Sequence, residues 1–359
     1  METRDSFLSK IAEEKLYDTL SLRRLLWGLI ICFILVIVFF VALYVGSYQI
    51  SFFEFLRALF RGEGEVAYIV RELRLQRAIG AVLTGASLGI AGAVMQNVLR
   101  NPLASPFTLG VSHGAIFGAS VGIIVFGFGK LHTVGPQGFT IFKTYPVALF
   151  AFLGALSVAV LIYILSRLRD LSPQAIILAG VTIGSLFSSA TMFLQYFATD
   201  VQVAATVYWT FGDLAKAGIK ENKLIFLSFT IGFLFFMGHR WKFNGLLLGE
   251  EVAKSLGIET KRLRLLALIM TSLIVAVPTS FLGIIGFVGL MSPHIVRLLV
   301  GNDYRYVIPY SALVGATILL SADILAKVIL APRTLPVGIV TTLVGAPLFL
   351  YLLLKRRTI

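Results

Sequence analysis

Residues 25–48 read LLWGLIICFILVIVFFVALYVGSY, an apolar run without one charged side chain. As a helix it is long enough to cross the ~30 Å hydrocarbon layer of a bilayer. It is too long for the apolar core of a cleaved signal peptide, so we expect it to stay in the protein as a membrane span. Backbone groups in lipid must form hydrogen bonds within their own segment, so the span has to be helical.

The rest of the chain has the same character, since 58% of its 359 residues are hydrophobic and only 14% are charged. Nine further apolar runs are long enough, or nearly so, to span a membrane. The sequence therefore predicts an all-α polytopic membrane protein with about ten transmembrane helices, surrounded by membrane lipid. The further spans are predicted near residues 78–98, 107–128, 146–165, 174–197, 222–238, 263–281, 285–300, 307–328 and 336–354.

The distribution of lysine and arginine predicts the orientation. With the polar segment 1–24 in the cytoplasm, the inner segments hold 19 of the 31 Lys and Arg residues and the outer segments hold 12. An even number of spans also returns the C-terminus, with Lys-Arg-Arg at 355–357, to the cytoplasm. The net charge of +13 is explained by this topology and by an anionic leaflet, so nucleic acid is not an expected partner.

Residue types that carry chemistry are sparse. The single cysteine, Cys32, allows no disulfide within the chain, and the four histidines (His113, His132, His239 and His294) have no metal-ligand spacing. No phosphate-binding loop of the form G-x-x-x-x-G-K-[ST] occurs, so any ATP would have to be hydrolysed by another chain. We predict no catalytic residue, no metal site and no cofactor bound by this chain.

A charged segment, LLLGEEVAKSLGIETKRLR at 246–264, separates two apolar runs on the predicted cytoplasmic side. Val252 and Leu256 share one helical face, Glu250 can pair with the lysine four residues on, and Gly257 can end the helix. Such a helix can dock on a soluble partner or lie on lipid headgroups. Two adjacent glutamates suit an anionic surface poorly, so docking is favoured.

Three other segments stand out. Pro102 and Pro106 interrupt AVMQNVLRNPLASPFTLGVSHGA (93–115), which predicts a bent connection at the cytoplasmic membrane edge. That bend could line a watery cavity or simply join two spans. Glycines at four-residue spacing, in 85–89 and 110–122, predict close helix packing within one subunit. The apolar but short 201–218 predicts a re-entrant or interfacial helix after the fifth span.

Three blocks together resemble the permease subunit of type II ABC importers: RELRLQRAIGAVLTGASLGIAGAVMQNVLRNPLASPFTLGVSHGA (71–115), LLLGEEVAKSLGI (246–258) and GFVGLMSPHIVRLLVGNDYRYVIPYSALVGATILLSADILAK…LPVGIVTTLVGAPLFLYLLLK (286–355). That family carries ferric siderophores, vitamin B12 and haem, and some members carry molybdate or tungstate. The resemblance covers about 25–355 and leaves 1–24 unexplained.

The resemblance implies a homodimer in the cell membrane, with the pathway at the dimer interface and both termini cytoplasmic. It also implies one outer binding protein and two cytoplasmic ATPases that use ATP and Mg. The region of about 246–262 matches the helix that couples permease to ATPase. The residues implied to make that contact are Gly249, Glu250, Glu251, Ala253, Leu256 and Gly257.

By the same resemblance, Arg74, Arg77 and Lys327 dock the outer binding protein. The chain departs from the family in having Gln76 before the second arginine and lysine at 327, where arginine is frequent; lysine cannot form a bidentate pair. An i,i+4 ion pair between Lys327 and Asp323 is the alternative for that residue. Cytoplasmic gate residues are implied at Asn101, Pro102, Leu103, Ser172 and Pro173, and pathway-lining residues at Met192, Gln195, Tyr196 and Phe197.

The resemblance leaves the cargo open, with an iron–siderophore expected first and vitamin B12 second. The alternative from another class is a secondary transporter or channel driven by an ion gradient. Such proteins usually hold a carboxylate near the middle of the membrane, and the predicted mid-span segments carry essentially none. An ATPase that co-purifies with the chain would favour the importer.

Overall fold

The computed structural model describes residues 2–46, 48–60, 64–129, 131–133, 139–141, 144–169 and 172–355. The described chain is a helical bundle with one short hairpin of strands β1 (Leu131–Thr133) and β2 (Phe139–Ile141). Its helices are α1 (Glu2–Tyr44), α2 (Phe52–Phe60), α3 (Glu65–Tyr68), α4 (Leu75–Val98), α5 (Val111–Ser120), α6 (Thr144–Arg169), α7 (Pro173–Tyr196), α8 (Asp200–Thr210), α9 (Ile219–Gly238), α10 (Arg240–Leu247), α11 (Glu250–Ser255), α12 (Thr260–Leu282), α13 (Val288–Val300), α14 (Tyr304–Val328) and α15 (Val337–Lys355).

Seven helices in the described part of the chain are long and apolar enough to cross a membrane. Three shorter apolar helices, Val111–Val125, Val288–Val300 and Val337–Tyr351, occupy the remaining predicted spans. Two of the predicted spans began too early, because a left-handed residue precedes each helix: Gly110 with φ 87° and Phe287 with φ 65°. Hydropathy does not detect such a residue, so the apolar run extends beyond the helix.

The N-terminal segment before residue 25 and the first apolar run belong to one continuous helix. Helix α1 begins at Glu2 and continues without interruption through the first apolar run to Tyr44. The polar residues before 25 are mostly good helix formers, so the change in hydropathy is not accompanied by a change in secondary structure. The boundary predicted at residue 24 is therefore a change of surroundings within one helix.

The elements that were not predicted are the short helices α2, α3 and α10 and the β1–β2 hairpin; the described chain is still mostly helical, as predicted. Helix α2 buries Phe55 and Ala58 and exposes Phe53 and Phe60, so it is amphipathic. Its length of nine residues hides it from a search for membrane spans. The predicted interfacial segment at 201–218 is observed as α8 followed by a 3₁₀ turn at Leu214–Lys216.

Helix α4 is at the centre of the bundle and packs against α9, α12, α13 and α14. A π-helical turn, Ile69–Arg74, joins it to α3. Where α4 crosses α14, a Cβ added to Gly85 would lie 2.3 Å from the Gly315 oxygen, and one added to Gly89 would lie 2.0 Å from the Ser311 oxygen. The predicted glycine ladder is thus confirmed as a packing seam within the chain.

Both ends of α4 carry the polar features that matter below. We call the end of the bundle that holds α11 and the loop after α4 the Glu250 end. The opposite end, where α4 begins and α14 finishes, we call the Arg77 end.

Candidate functional site

Helix α11 at the Glu250 end is bounded by two glycines. Gly249 precedes it with φ 119° and Gly257 follows it with φ 77°. Both φ angles are positive, a conformation that glycine adopts easily and other residues rarely adopt. The Gly257 amide donates to the Lys254 oxygen (2.9 Å) and the Ile258 amide donates to the Ala253 oxygen (3.0 Å). This is a Schellman motif, and it confirms that the helix ends where the sequence predicted.

One edge of α11 is apolar and exposed. Leu248 and Leu256 are 65% and 61% exposed, and Val252 and Glu251 lie between them at the surface. Ala253 is fully buried inside the chain. It therefore attaches α11 to the bundle and is not available to an external partner, contrary to the assignment made from the resemblance. We call Leu248, Val252 and Leu256 the exposed edge of α11.

Glu250 is half-buried and its carboxylate is turned toward the bundle. Its carboxylate accepts hydrogen bonds from the Thr260 hydroxyl and from Arg264 Nη2, both at 3.1 Å, and lies 3.6 Å from Lys254 Nζ. Burial alone would raise the pKa of this carboxyl, but Arg264, Thr260 and Lys254 together hold it below its usual value. The predicted i,i+4 pair is present, and Glu250 also fastens α11 to α12.

Arg264 extends this connection to the central helix. It is only 5% exposed, and its Nε donates to the oxygen of Val98, the last residue of α4, at 3.1 Å. Glu250, Arg264 and Val98 thus form one continuous chain of contacts from α11 to the end of α4. The sequence did not single out Arg264; its one signal was an arginine placed inside the first apolar turns of a span.

Helix α10 is tied to the same end of α4. The Asn97 amide donates to the Phe243 oxygen at 3.2 Å, and Arg100 Nη2 donates to the Leu246 oxygen at 3.3 Å. The α10–α11 unit is therefore tied to the end of α4 by these two hydrogen bonds and, through Arg264 of α12, by the connection from Glu250 to Val98.

The loop after α4 makes the predicted bend. Arg100 has φ 48°, and the Asn101 side-chain oxygen accepts a hydrogen bond from the Leu103 amide at 2.8 Å. Pro102 lies between them, and Leu103 is 45% exposed. A cavity of about 370 Å³ lies between this turn and the joint of α10 and α11. We call Asn101, Pro102 and Leu103 the Asn101 turn.

Ser172 and Pro173 have a local role at the start of α7. The Ser172 hydroxyl accepts a hydrogen bond from the Ala175 amide at 3.2 Å, and Pro173 occupies the first helical position. This is a standard helix N-cap, so the pair fixes where α7 begins.

Helix α7 has an exposed stripe along one face. Tyr196 is 83% exposed, and Met192 and Phe197 are also at the surface, whereas Gln195 is half-buried. Met192 and Tyr196 continue a stripe at helical spacing that begins with exposed Thr182, Ser185 and Ser189. These three hydroxyl residues were not predicted from the sequence, although small polar side chains recur there at three- and four-residue spacing in an apolar run. The Thr182 and Ser185 hydroxyls donate to the Leu178 and Val181 oxygens one turn earlier, so both are satisfied within α7.

At the Arg77 end, the three basic residues assigned to docking are buried and already have partners. Arg77 Nε lies 2.6 Å from Asp323 and its Nη1 lies 3.3 Å from Asp213. Lys327 Nζ lies 2.8 Å from Asp323, so the i,i+4 pair left open by the sequence is observed. Arg74 donates to the main-chain oxygens of Leu43 and Tyr44 in the last turn of α1 and of Tyr48 after it.

These side chains lie at the base of a crevice of about 560 Å³ that also contains Lys216. Lys216 Nζ donates to the Phe211 oxygen at 3.1 Å and to the Trp209 oxygen at 3.4 Å. Burial lowers the pKa of Lys216 to about 8, although Asp213 acts in the opposite direction. An external anion would have to enter this crevice to reach Arg74, Arg77 or Lys327.

Comparison with known proteins gives concordant matches. The sequence matches the FecCD transport family over residues 34–355. A protein of Methanocaldococcus jannaschii named as an ABC transporter permease is 49% identical over 340 residues, 94% of this chain and 97% of the relative. The Fe(3+)-citrate import system permease of Bacillus subtilis is 34% identical over 332 residues, 92% of this chain and 95% of the relative. A solved inward-facing metal-chelate type ABC transporter has a TM-score of 0.78 and 30% identity, and the match covers 92% of this chain and 99% of that chain.

Proposed function

Because the chain belongs to the FecCD transport family of ABC permeases, we propose that it is the membrane-spanning subunit of an ATP-driven importer. Two copies form the dimer, two cytoplasmic ATPases supply the energy from ATP and Mg, and one outer binding protein delivers the cargo. Ten spans place both termini in the cytoplasm, in accord with the bias of Lys and Arg. The seven long and three shorter apolar helices support that number.

The observation that carries the proposal is the construction of α11. Its exposed edge of Leu248, Val252 and Leu256 is available to a partner, while Glu250 and Ala253 hold the helix on the bundle. The Glu250 end is then the cytoplasmic end, and the exposed edge contacts the ATPase. A short helix bounded by glycines and fixed by an ion pair moves as a unit, so displacement of the ATPase reaches the membrane helices.

The Asn101 turn is the proposed inner gate. Arg264 ties the end of α4 to Glu250, and Arg100 ties the loop to α10, so movement of α10 and α11 is passed to the turn. Leu103 from each copy would close the pathway, with the N-terminal end of α7 at Ser172 and Pro173 as a second constriction. The stripe of α7, with Met192, Gln195, Tyr196 and Phe197 near its end, would line the pathway and give weak contacts that do not trap the cargo.

Docking of the binding protein is proposed at the Arg77 end. The crevice lining there holds four basic side chains and two glutamates, Glu72 and Glu221. Arg74, Arg77 and Lys327 keep their internal partners and do not offer free side chains at the surface, so a binding protein would reach them through the crevice. The same contacts weigh against the ion-gradient alternative. Asp323, a fully buried carboxylate in the described spans, is already paired with Arg77 at 2.6 Å and with Lys327 at 2.8 Å, so it is not an open cation site.

The proposed cargo is a metal chelate, first an iron–siderophore and then vitamin B12 or haem. The iron-citrate relative and the metal-chelate type structure support this class. They give no support to molybdate or tungstate, and we do not propose those cargoes. Substrate choice is assigned to the binding protein, because the described stripe of α7 contains no charged side chain that would select one chelate.

The test is transport in proteoliposomes that contain the chain with its ATPase and binding protein. ATP-dependent uptake of a ferric siderophore is compared with uptake of vitamin B12 and of haem. Val252→Glu with Leu256→Glu should release the ATPase and abolish uptake, because the variant places charges in an apolar contact. Val328→Glu, a like change at an exposed site at the other end, is the control that should keep the ATPase bound.

If the Val252 and Leu256 variant keeps the ATPase bound and takes up cargo normally, α11 is not the docking element. Uptake that needs no ATP and follows an imposed ion gradient would instead establish the secondary-transporter alternative.

A further inference from the structure

A groove of about 420 Å³ lies between α6, α9 and α12. Its floor contains small residues, among them Ala148 and Ser228, which are buried. Its rim contains Leu149, Leu224 and Leu227, which are exposed, so the groove opens sideways from the bundle. It shares no lining residue with the crevice at the Arg77 end or with the cavity beside the Asn101 turn.

The lining offers nothing to a polar ligand. The Ser228 hydroxyl donates to the Ile225 oxygen at 2.9 Å, and the Ser280 hydroxyl donates to the Val277 oxygen at 2.7 Å. Both hydroxyls are thus satisfied within their own helices, and the other side chains inside the groove are aliphatic or aromatic. Water is held poorly by such a surface, so the fitting occupant is hydrocarbon.

The position of the groove fits one lipid chain. It begins near the Arg77 end, at Tyr145 in the first turn of α6 and Phe281 in the last turn of α12. Along α9 it extends from Leu224 to Ile231, which is about 10 Å at the rise of an α-helix. That distance covers most of one leaflet, about 15 Å of hydrocarbon.

Two lysines stand above the opening. Lys220 and Lys223 are exposed in the first turn of α9, each one turn before a rim leucine on the same helical face. Glu221 is the acidic residue between them, and its carboxylate is occupied by the Tyr145 hydroxyl and the Gly218 amide. The two lysines outnumber Glu221, so the mouth of the groove carries a net positive charge.

We propose that this groove binds one acyl chain of an anionic phospholipid, whose phosphate lies against Lys220 and Lys223. This site is separate from the transport pathway and does not depend on the cargo. A second copy of the chain placed on this face would bury both lysines against their own equivalents or against lipid-facing leucines, so charge complementarity favours the lipid.

The test is native mass spectrometry of the full chain after reconstitution into bilayers of equal phosphatidylglycerol and phosphatidylcholine. The parent protein should retain phosphatidylglycerol several-fold over phosphatidylcholine. Two variants fill the groove from different helices, Ala148→Leu from α6 and Leu227→Trp from α9, and each should lower the retained phosphatidylglycerol several-fold. Phe226→Trp, on the next residue and outside the groove, is the matched control and should retain lipid like the parent.

Lys220→Gln with Lys223→Gln should bring the ratio of the two lipids to about one, since only the charge at the mouth is removed. Helicity and gel-filtration profiles like those of the parent show that each variant is folded. The proposal is overturned if the folded groove-filling variants retain as much phosphatidylglycerol as the parent, or if the lysine variant keeps the full preference. A groove-filling variant that loses the dimer mass while keeping its lipids would assign the groove to a second copy and also overturn it.

Discussion

Arg264 is a buried charge with two different partners, the Glu250 carboxylate and the Val98 main-chain oxygen. A guanidinium can serve both because its donors point in fixed, separate directions, whereas an ammonium is a compact point charge. The contact also explains why Glu250 cannot be treated as a free docking residue. Charge reversal at Glu250 would leave Arg264 buried without its acidic partner, and the folded state would lose stability.

Arg264→Lys should therefore uncouple the importer without preventing its assembly. Lysine keeps the charge but cannot hold Glu250 and Val98 together. We therefore expect the amount of cargo transported per ATP hydrolysed to fall about 10-fold, a factor within the range that coupling free energies usually produce. The measurement is uptake and ATP hydrolysis in the same proteoliposomes. Arg262→Lys, at an exposed site two residues earlier, is the control. An unchanged ratio in Arg264→Lys would show that the contact carries no coupling.

Lys216 makes a second prediction, for pH. The pKa of Lys216 is about 8 in the folded chain, whereas the pKa of a lysine in the unfolded chain is about 10.4. Between these values the unfolded state binds more protons, so this group makes the folded state more stable as pH rises, by at most about 3 kcal/mol. Lys216→Met should remove that rise. Thermal unfolding of parent and variant from pH 7 to 10 measures it, and parallel curves would contradict the assignment.

At the scale of elements, the seam between α4 and α14 determines how closely the central helices approach. Glycine on both sides lets main chain contact main chain, and no side chain can be inserted without moving a helix.

The helices and most of their bounds could be predicted from hydropathy, because lipid requires long apolar helices. Helix starts at Val111 and Val288 could not, because each depends on one left-handed residue inside an apolar run.

Gly89→Ala should destabilise the protein by about 1–3 kcal/mol or more, because its Cβ would lie 2.0 Å from the Ser311 oxygen. The change is measured as the temperature at which the detergent-solubilised protein loses its monodisperse peak. Gly238→Ala, at a glycine with no neighbour within 4 Å of the added carbon, should have little effect. Equal effects of the two substitutions would mean that the seam tolerates separation.

At the scale of the whole molecule, the features at the two ends differ in how far the sequence could predict them. The boundaries of α11 were predictable, because the charges and Gly257 act locally. The Arg264–Val98 contact joins residues 166 positions apart and has no local signal. Burial of Arg74, Arg77 and Lys327 was also beyond the sequence, since their partners lie on α1, on α14 and in the loop that holds Asp213.

The proposed gate predicts a contact between two copies. In a Cys32→Ser background, Leu103→Cys should form a disulfide between subunits under oxidation and stop uptake, and reduction should restore it. A disulfide requires Cα atoms within about 7 Å, so it reports close approach at the dimer axis. ATP trapping should change the yield. Leu234→Cys, exposed on α9, is the control. If Leu103→Cys never crosslinks in any nucleotide state, the Asn101 turn is only a connector.

The chain of contacts from Glu250 through Arg264 to Val98 also has a thermodynamic consequence. A coupling free energy between two binding events has no direction: if ATPase binding at α11 changes the affinity of the pathway for cargo by some factor, cargo changes the affinity for the ATPase by the same factor. A saturating cargo would then shift the ATPase titration curve of the parent, and the size of that shift would measure the coupling without any transport being observed.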